Sequence, residues 1–224
     1  ELKPKAEEGD PIAQYTLAEV YFFGSPVATA EAEAVKWWRK AADQGNIPAQ
    51  AILGSCYYNG TGVTQDYAEA VKWYRKAANQ GHAPAQYCLG FCYSNGQGVT
   101  QDYGEMLKWY GKAAEQGLAM AQSSLGDSYY TAHGVMQDYA EAMRWFSKAA
   151  KQGNDVAQNN LGVMYQGGQG VPQDYVEAYK WYSLAAAQGR SNAIKNRDDL
   201  AGFMTPFQIA KAQQLSHEFR PRKE

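Results

Sequence analysis

The feature that most constrains this chain is a spacing. Residues 46–189 repeat every 36 positions, with no insertion or deletion. Leu53-Gly54, Tyr57, Gln65-Asp66-Tyr67, Trp73 and Gln80-Gly81 return at Leu89-Gly90, Tyr93, Gln101-Asp102-Tyr103, Trp109 and Gln116-Gly117. They return at Leu125, Tyr129, Asp138, Trp145 and Gly153, and again at Leu161, Tyr165, Asp174, Trp181 and Gly189. One period earlier Leu17, Tyr21, Trp37 and Gly45 keep the register with a weaker match. A fixed period of this size marks stacked supersecondary units, each burying its apolar face against the next. Such a stack offers one long binding surface and no enclosed catalytic pocket.

Within a repeat the residues predict two helices. Asn46 caps helix A, and Pro48 sits in the first turn, where its missing N–H costs nothing. Ala49, Leu53 and Tyr57 mark the buried face. Gly54 interrupts that helix at a cost of about 1 kcal/mol relative to Ala, yet Gly90, Gly126 and Gly162 repeat it. A repeated cost implies a backbone approach too close for a side chain, with the pair Ala77-Ala78 as the expected partner. The glycines of Asn59-Gly60-Thr61-Gly62 suit a helix C-cap; no strand precedes them, which argues against a phosphate loop. Val63 and its counterparts Val27, Val99, Val135 and Val171 are expected to plug the gap between helices. Asp66 with Glu69 reads as a capping box opening helix B, as do Asp102/Glu105, Asp138/Glu141 and Asp174/Glu177. Tyr67, Ala70, Trp73, Ala77 and Ala78 form its apolar stripe, and Gly81 ends it. Columns of Glu (33, 69, 105, 141, 177) and of Lys or Arg three residues later give weak same-face pairs. A solvated outer face accounts for them; a basic docking groove is the other reading.

The phase divides the chain into an N-terminal partial helix (1–9), repeats at 10–45, 46–81, 82–117, 118–153 and 154–189, and C-terminal capping helices (190–224). Pro4 predicts only a short capping turn at the front. Thr205-Pro206-Phe207-Gln208 reads as a capping box that opens a final helix. Its Phe207, Ala210, Leu215 and Phe219 would lie over the last repeat, and Pro221 to Glu224 would fray. About twelve helices are predicted in all. The chain begins at Glu1 rather than Met, which predicts a removed upstream segment: a signal peptide, further repeats or a tag.

Charge narrows the function classes. Twenty-one basic and 23 acidic residues give a net charge of -2, without the basic stripe that nucleic acid demands. No run approaches the roughly 18 apolar residues of a membrane span. His82, His133 and His217 are scattered and form no metal set; the Asp column is explained by capping. The sequence calls for no cofactor and shows no catalytic constellation. Cys56 and Cys92 share one repeat column, too far apart for a disulfide at ordinary helix spacing, so all three cysteines are expected to be reduced.

The unit AQ-x-x-LG-x-x-Y followed by G-x-GV-x-QDY-x-EA-x-KWY-x-KAA-x-QG resembles the Sel1-like repeat. Here it is Ala49-Gln50, Leu53-Gly54, Tyr57, Gly60, Gly62-Val63, Gln65-Asp66-Tyr67, Glu69-Ala70, Lys72-Trp73-Tyr74, Lys76-Ala77-Ala78 and Gln80-Gly81. The resemblance covers about residues 10–190. It implies an all-α, right-handed solenoid of αα-hairpins, kin to tetratricopeptide repeats, and an adaptor's role. Many bacterial members are exported, which favours the periplasm or secretion and leaves the cytoplasm open. The first repeat departs from the pattern with Thr29-Ala30-Glu31 for Gln-Asp-Tyr, and the fourth has Ala132 at the turn glycine. The cysteine pairs of the family's β-lactam-binding branch are missing, so that activity is not carried over.

By the resemblance, helix A lines the concave side. The variable columns of helix A, those of residues 51, 55 and 58, share one face. Along the repeats they give aromatic residues that crowd the first three. A peptide or protein loop is therefore expected to dock on Tyr15, Phe22, Tyr58, Tyr87 and Phe91, with Tyr130 further along. Glu19 and Asp127 would select a basic group. Rings that merely fill the inner curve are the competing reading. A small-molecule binder or hydrolase using the same groove is the alternative function.

Overall fold

The computed structural model describes residues 2–24 and 28–221, and among them thirteen α-helices and no strand. They are α1 (Leu2–Glu7), α2 (Pro11–Gly24), α3 (Ala28–Asp43), α4 (Ile47–Asn59), α5 (Tyr67–Asn79), α6 (Ala83–Asn95) and α7 (Tyr103–Glu115). There follow α8 (Ala119–Thr131), α9 (Tyr139–Lys151), α10 (Asp155–Gly167), α11 (Tyr175–Ala187), α12 (Ser191–Ala201) and α13 (Pro206–Glu218). The protein is an all-α solenoid of repeats about 36 residues long. It divides inside α7 into two compact units, one ending at Lys112 and one starting at Ala113.

Each helix boundary has a chemical cause. Asn46 and Asn154 cap their helices by accepting from the backbone N–H of Ala49 and Ala157 at 2.9 and 2.8 Å. Asp66 accepts from Ala68 and Glu69, and Asp138 and Asp174 repeat this. The capping box expected there is only half formed. The N–H of Asp66 is already taken by the carbonyl of Tyr57 at 2.9 Å, as that of Asp102 is by Tyr93. Glu69 therefore turns outward to Lys72. Thr205 and Gln208 do complete a reciprocal box.

The glycine of helix A does mark a close approach, but not to the alanine pair. A Cβ on Gly54 would lie 2.6 Å from the ring of Tyr74, and one on Gly90 2.7 Å from that of Tyr110. In the second unit Gly126 and Gly162 stand against Phe146 and Tyr182 in the same way. An aromatic ring one turn before the alanines fills the space. The turn glycines divide two tasks. Gly60 caps α4 in the left-handed region, φ 75°, while a Cβ on Gly62 would meet the backbone of Glu31. Ala132 keeps the left-handed cap without a glycine, at φ 61° and ψ 32°.

The cores are built from the repeated columns. Trp37, Trp73, Trp109, Trp145 and Trp181 are all buried, and each contributes on the order of a few kcal/mol. Val63 and Val99 pack as expected; Val27 lies outside the described residues. A glutamine ladder links neighbours: Gln50 donates to Ala42 O, and Gln80 donates to the Gln50 side chain at 2.8 Å. In the second unit Gln158 and Gln188 do the same.

Both ends differ from expectation. α1 is a short helix rather than a turn, because Pro4 falls in its first turn, where no N–H is needed. Its Ala6 carbonyl accepts from Gln14, as Ala42 does from Gln50. On α13, Phe207 and Ala210 face solvent. The face turned to the core is instead that of Ile209 and Ala212, with Leu215 and Phe219 half-buried. Of the tail expected to fray, Pro221 is exposed, and residues 222–224 lie outside the described residues.

Candidate functional site

The helix-A face of the first unit carries two adjoining clefts. One, of about 290 Å³, is lined by Ser55, Tyr58, Asn59, Tyr74, Tyr87, Cys88 and Phe91. The other, of about 280 Å³, is lined by Glu19, Phe22, Phe23, Trp38, Ile52, Ser55, Cys56, Asn59 and Thr61. Ser55 and Asn59 belong to both, so the clefts share a wall. Five of the expected residues, Glu19, Phe22, Tyr58, Tyr87 and Phe91, thus lie in one place. The variable columns of α2, α4 and α6 put them there, since residues four and three apart share a helix face.

The rings are partly engaged. Tyr58 packs on Tyr67 with centroids 5.1 Å apart and donates its hydroxyl to Gln97 at 2.7 Å. Tyr87 stacks on Tyr110 at 5.3 Å. Phe22 lies 5.2 Å from Trp38 and 5.1 Å from Phe23. Phe91 remains 40% exposed and Phe23 77% exposed, apolar surface that water covers at a cost. Tyr15 does not line either cleft. Its hydroxyl donates to the Glu19 carboxylate at 2.9 Å, and burial, that hydrogen bond and that charge push its pKa up to about 12. That bond ties the Tyr15 hydroxyl to Glu19 one turn along α2.

Asp127 and Tyr130 belong to α8, in the second unit, and are not among the residues that line these clefts. Tyr130 packs against Tyr139 and Phe146 and donates to Gln169 at 2.8 Å. Asp127 is exposed, yet desolvation raises its pKa, with His133 opposing. Those two facts describe a carboxyl with protein on one side and solvent on the other.

Sequence reasoning missed Phe23, Tyr74 and Cys88 as lining residues. Phe23 left a signal: its column otherwise holds Asn59, Asn95, Thr131 and Gly167. The thiols are not reactive features. Cys56, Cys88 and Cys92 are free, and burial pushes Cys56 and Cys92 up to about 12, away from the thiolate that nucleophilic chemistry needs. Among the described residues no group of three or more His, Cys, Asp or Glu could hold a metal ion, and no helix is long and apolar enough to cross a membrane.

The Sel1 repeat model matches residues 11–46, 47–82, 83–118, 119–154 and 155–189 in succession. The chain belongs to the Sel1 repeat family. Sel1 proteins are generally protein-interaction scaffolds, and the family is mainly non-catalytic. Among solved structures, a protective antigen of uropathogenic Escherichia coli with an SLR fold is 41% identical, with a TM-score of 0.86. The match covers 97% of this chain and 48% of the antigen, so this chain spans about half the antigen's length. A Sel1 repeat protein from Oxalobacter formigenes is 33% identical over 96% of this chain and 87% of its own, with a TM-score of 0.81. A further Sel1 repeat protein, from Klebsiella pneumoniae, shares the fold at 24% identity and a TM-score of 0.56, covering 89% of this chain and 97% of its own. No curated protein matches the sequence.

Proposed function

We propose that this Sel1 protein is a non-catalytic bacterial scaffold that docks a peptide or protein loop on the helix-A face of its first three repeats. The observation that carries this reading is the pair of adjoining apolar clefts. Each has room for one or two apolar side chains, too little for most folded surfaces to enter and enough to anchor a loop. Phe22, Phe23, Tyr58, Tyr87 and Phe91 supply the rings. Glu19, held by Tyr15 at the edge of one cleft, favours a basic residue flanking the anchors. Asp127, on α8 of the second unit, would by itself favour a basic group.

Peptides selected from a displayed library on the unaltered protein test this directly. Tyr87→Ala with Phe91→Ala should weaken their binding at least tenfold, while Glu69→Ala with Lys72→Ala, on the outer face of helix B, should leave it unchanged. Circular dichroism establishes that both variants fold. Equal binding by the two folded variants would refute the placement.

A further inference from the structure

The two clefts of the first unit occupy equivalent places in successive repeats, yet their walls differ in kind. The cleft of about 280 Å³ has Glu19, Phe22, Phe23 and Trp38 in its wall. One period of 36 residues later, the other cleft has Ser55, Tyr58, Asn59 and Tyr74 at the same positions. The first cleft thus carries a carboxylate in place of a hydroxyl, phenylalanine in place of an amide, and tryptophan in place of a phenol. The stack does not need these residues, since it forms without them one repeat later. Asp127 is the other acid in the Glu19 column, and there the Phe23 position is Thr131.

The rings stand as walls. Phe22 meets Phe23 at 88° with centroids 5.1 Å apart, and meets Trp38 at 54° with centroids 5.2 Å apart. Phe23 stays 77% exposed, a ring that fills no core. The charge at the cleft has one sign. Glu19 lines it, and no lysine, arginine or histidine does. A second acid, Glu31, acts on the same wall: burial first, and then the Glu31 charge, push the Cys56 thiol up to about 12. Phe22 and Phe23 also lie in the last turn of α2, and the C-terminal end of a helix favours a cation.

Aromatic rings around a carboxylate attract a cation. Hydrogen bonding decides which kind. A primary ammonium or a guanidinium must replace the water bonded to each of its N–H groups. Rings dominate this wall, and its Asn59 amide is already spent on Ser55 at 3.2 Å. A quaternary ammonium has no N–H and loses no hydrogen bond on entry. The volume lies below the roughly 300 Å³ at which ordinary ligand pockets begin, so the occupant is small. We propose that this cleft binds the trimethylammonium group of a small free solute of choline's size, with the rings around its methyl groups and Glu19 as its counter-charge. The site does not rest on the peptide reading, because a solute can be tested with no peptide present.

The test titrates choline into the full chain at constant ionic strength. The readout is the indole N–H signal of Trp38, assigned by its loss in Trp38→Phe. Choline should shift that signal saturably. Its uncharged isostere, with carbon in place of nitrogen, should not, and ethanolamine should need at least tenfold higher concentration. Glu19→Gln, which keeps an acceptor for the Tyr15 hydroxyl, and Phe23→Ala, at an exposed ring, should each weaken choline binding at least fivefold while circular dichroism shows both folded. Four results would overturn the proposal: no saturable shift, an equal response to the uncharged isostere, unchanged affinity in both folded variants, or tighter binding to phosphatidylcholine vesicles than to choline, which would assign the cleft to a lipid head group.

Discussion

Ala132 holds a backbone conformation that its three counterparts leave to glycine. Gly60, Gly96 and Gly168 close helix A at φ 75°, 67° and 66°, and Ala132 does so at 61°. Each donates its N–H to a carbonyl four residues back, Ser128 in the case of Ala132. The cap is therefore intact, and the cost lies in the Cβ. A left-handed conformation costs an L-residue roughly 1–2 kcal/mol. The glycine sites show further crowding, since a Cβ on Gly60 would lie 3.3 Å from that of Gln65. Replacing Ala132 by glycine relieves both, while the freer unfolded chain takes back about 0.4–1 kcal/mol. The net expectation for Ala132→Gly is a gain of about 0.5–1 kcal/mol, a rise in Tm of about 1–4 °C for a chain of this length. Gly96→Ala should move the midpoint down by a similar amount. Paired urea melts followed by circular dichroism at 222 nm measure both. If Ala132→Gly lowers the midpoint, or leaves it unmoved while Gly96→Ala also has no effect, the strain argument is wrong.

Three further expectations follow from named contacts. Gly90→Leu drives a side chain into the Tyr110 ring and toward the Met106 carbonyl, and should cost about 1–3 kcal/mol by urea denaturation; an unchanged midpoint would contradict the close approach. His82 caps α6 by accepting from Ala85 N–H through Nδ1 at 3.2 Å, which requires the neutral ring, and burial lowers its pKa. A depressed histidine pKa means that the unfolded chain binds the proton more readily, so this contribution is present above the ordinary histidine pKa of about 6.5 and falls away below it. His82→Asn, which installs the cap seen at Asn46, should flatten the stability-versus-pH slope between about pH 6.5 and 5; a slope identical to that of the unaltered protein would exclude His82 as its source. All three cysteines should alkylate once the protein is unfolded without reductant, and intact mass should show three adducts; a two-dalton deficit would reveal a disulfide that the free thiols rule out.

The fold was legible because each repeat restates it. Caps, stripes and turn glycines recur in columns, and a column seen several times over separates structural need from accident. What each column touches was less legible. Gly54 announced a close approach, but the ring it meets, Tyr74, lies on another helix, and only packing decides between that ring and the alanines one turn on. The capping box failed for the same reason: the Tyr57 carbonyl that takes the Asp66 N–H comes from a different helix. At the candidate site the varying columns identified most of the rings. They could not show that Tyr15 is spent on Glu19. Phe219, expected over the last repeat, does meet Trp181 there with ring centroids 5.5 Å apart, while Phe207 and Ala210, expected beside it, face solvent.

The glutamine ladder bears on how such a chain changes length over evolutionary time. Its bonds join residues 8 and 30 positions apart, Gln50 to Ala42 and Gln80 to Gln50, and the second unit uses the same two offsets. Duplicating or deleting one whole 36-residue unit keeps every such offset within the surviving repeats. Losing or gaining a single residue inside a unit shifts one partner of each bond that spans the change. Recombination between copies is thus tolerated at one step size and penalised at others, so descendants are expected to differ by whole repeats while the spacing inside each stays fixed.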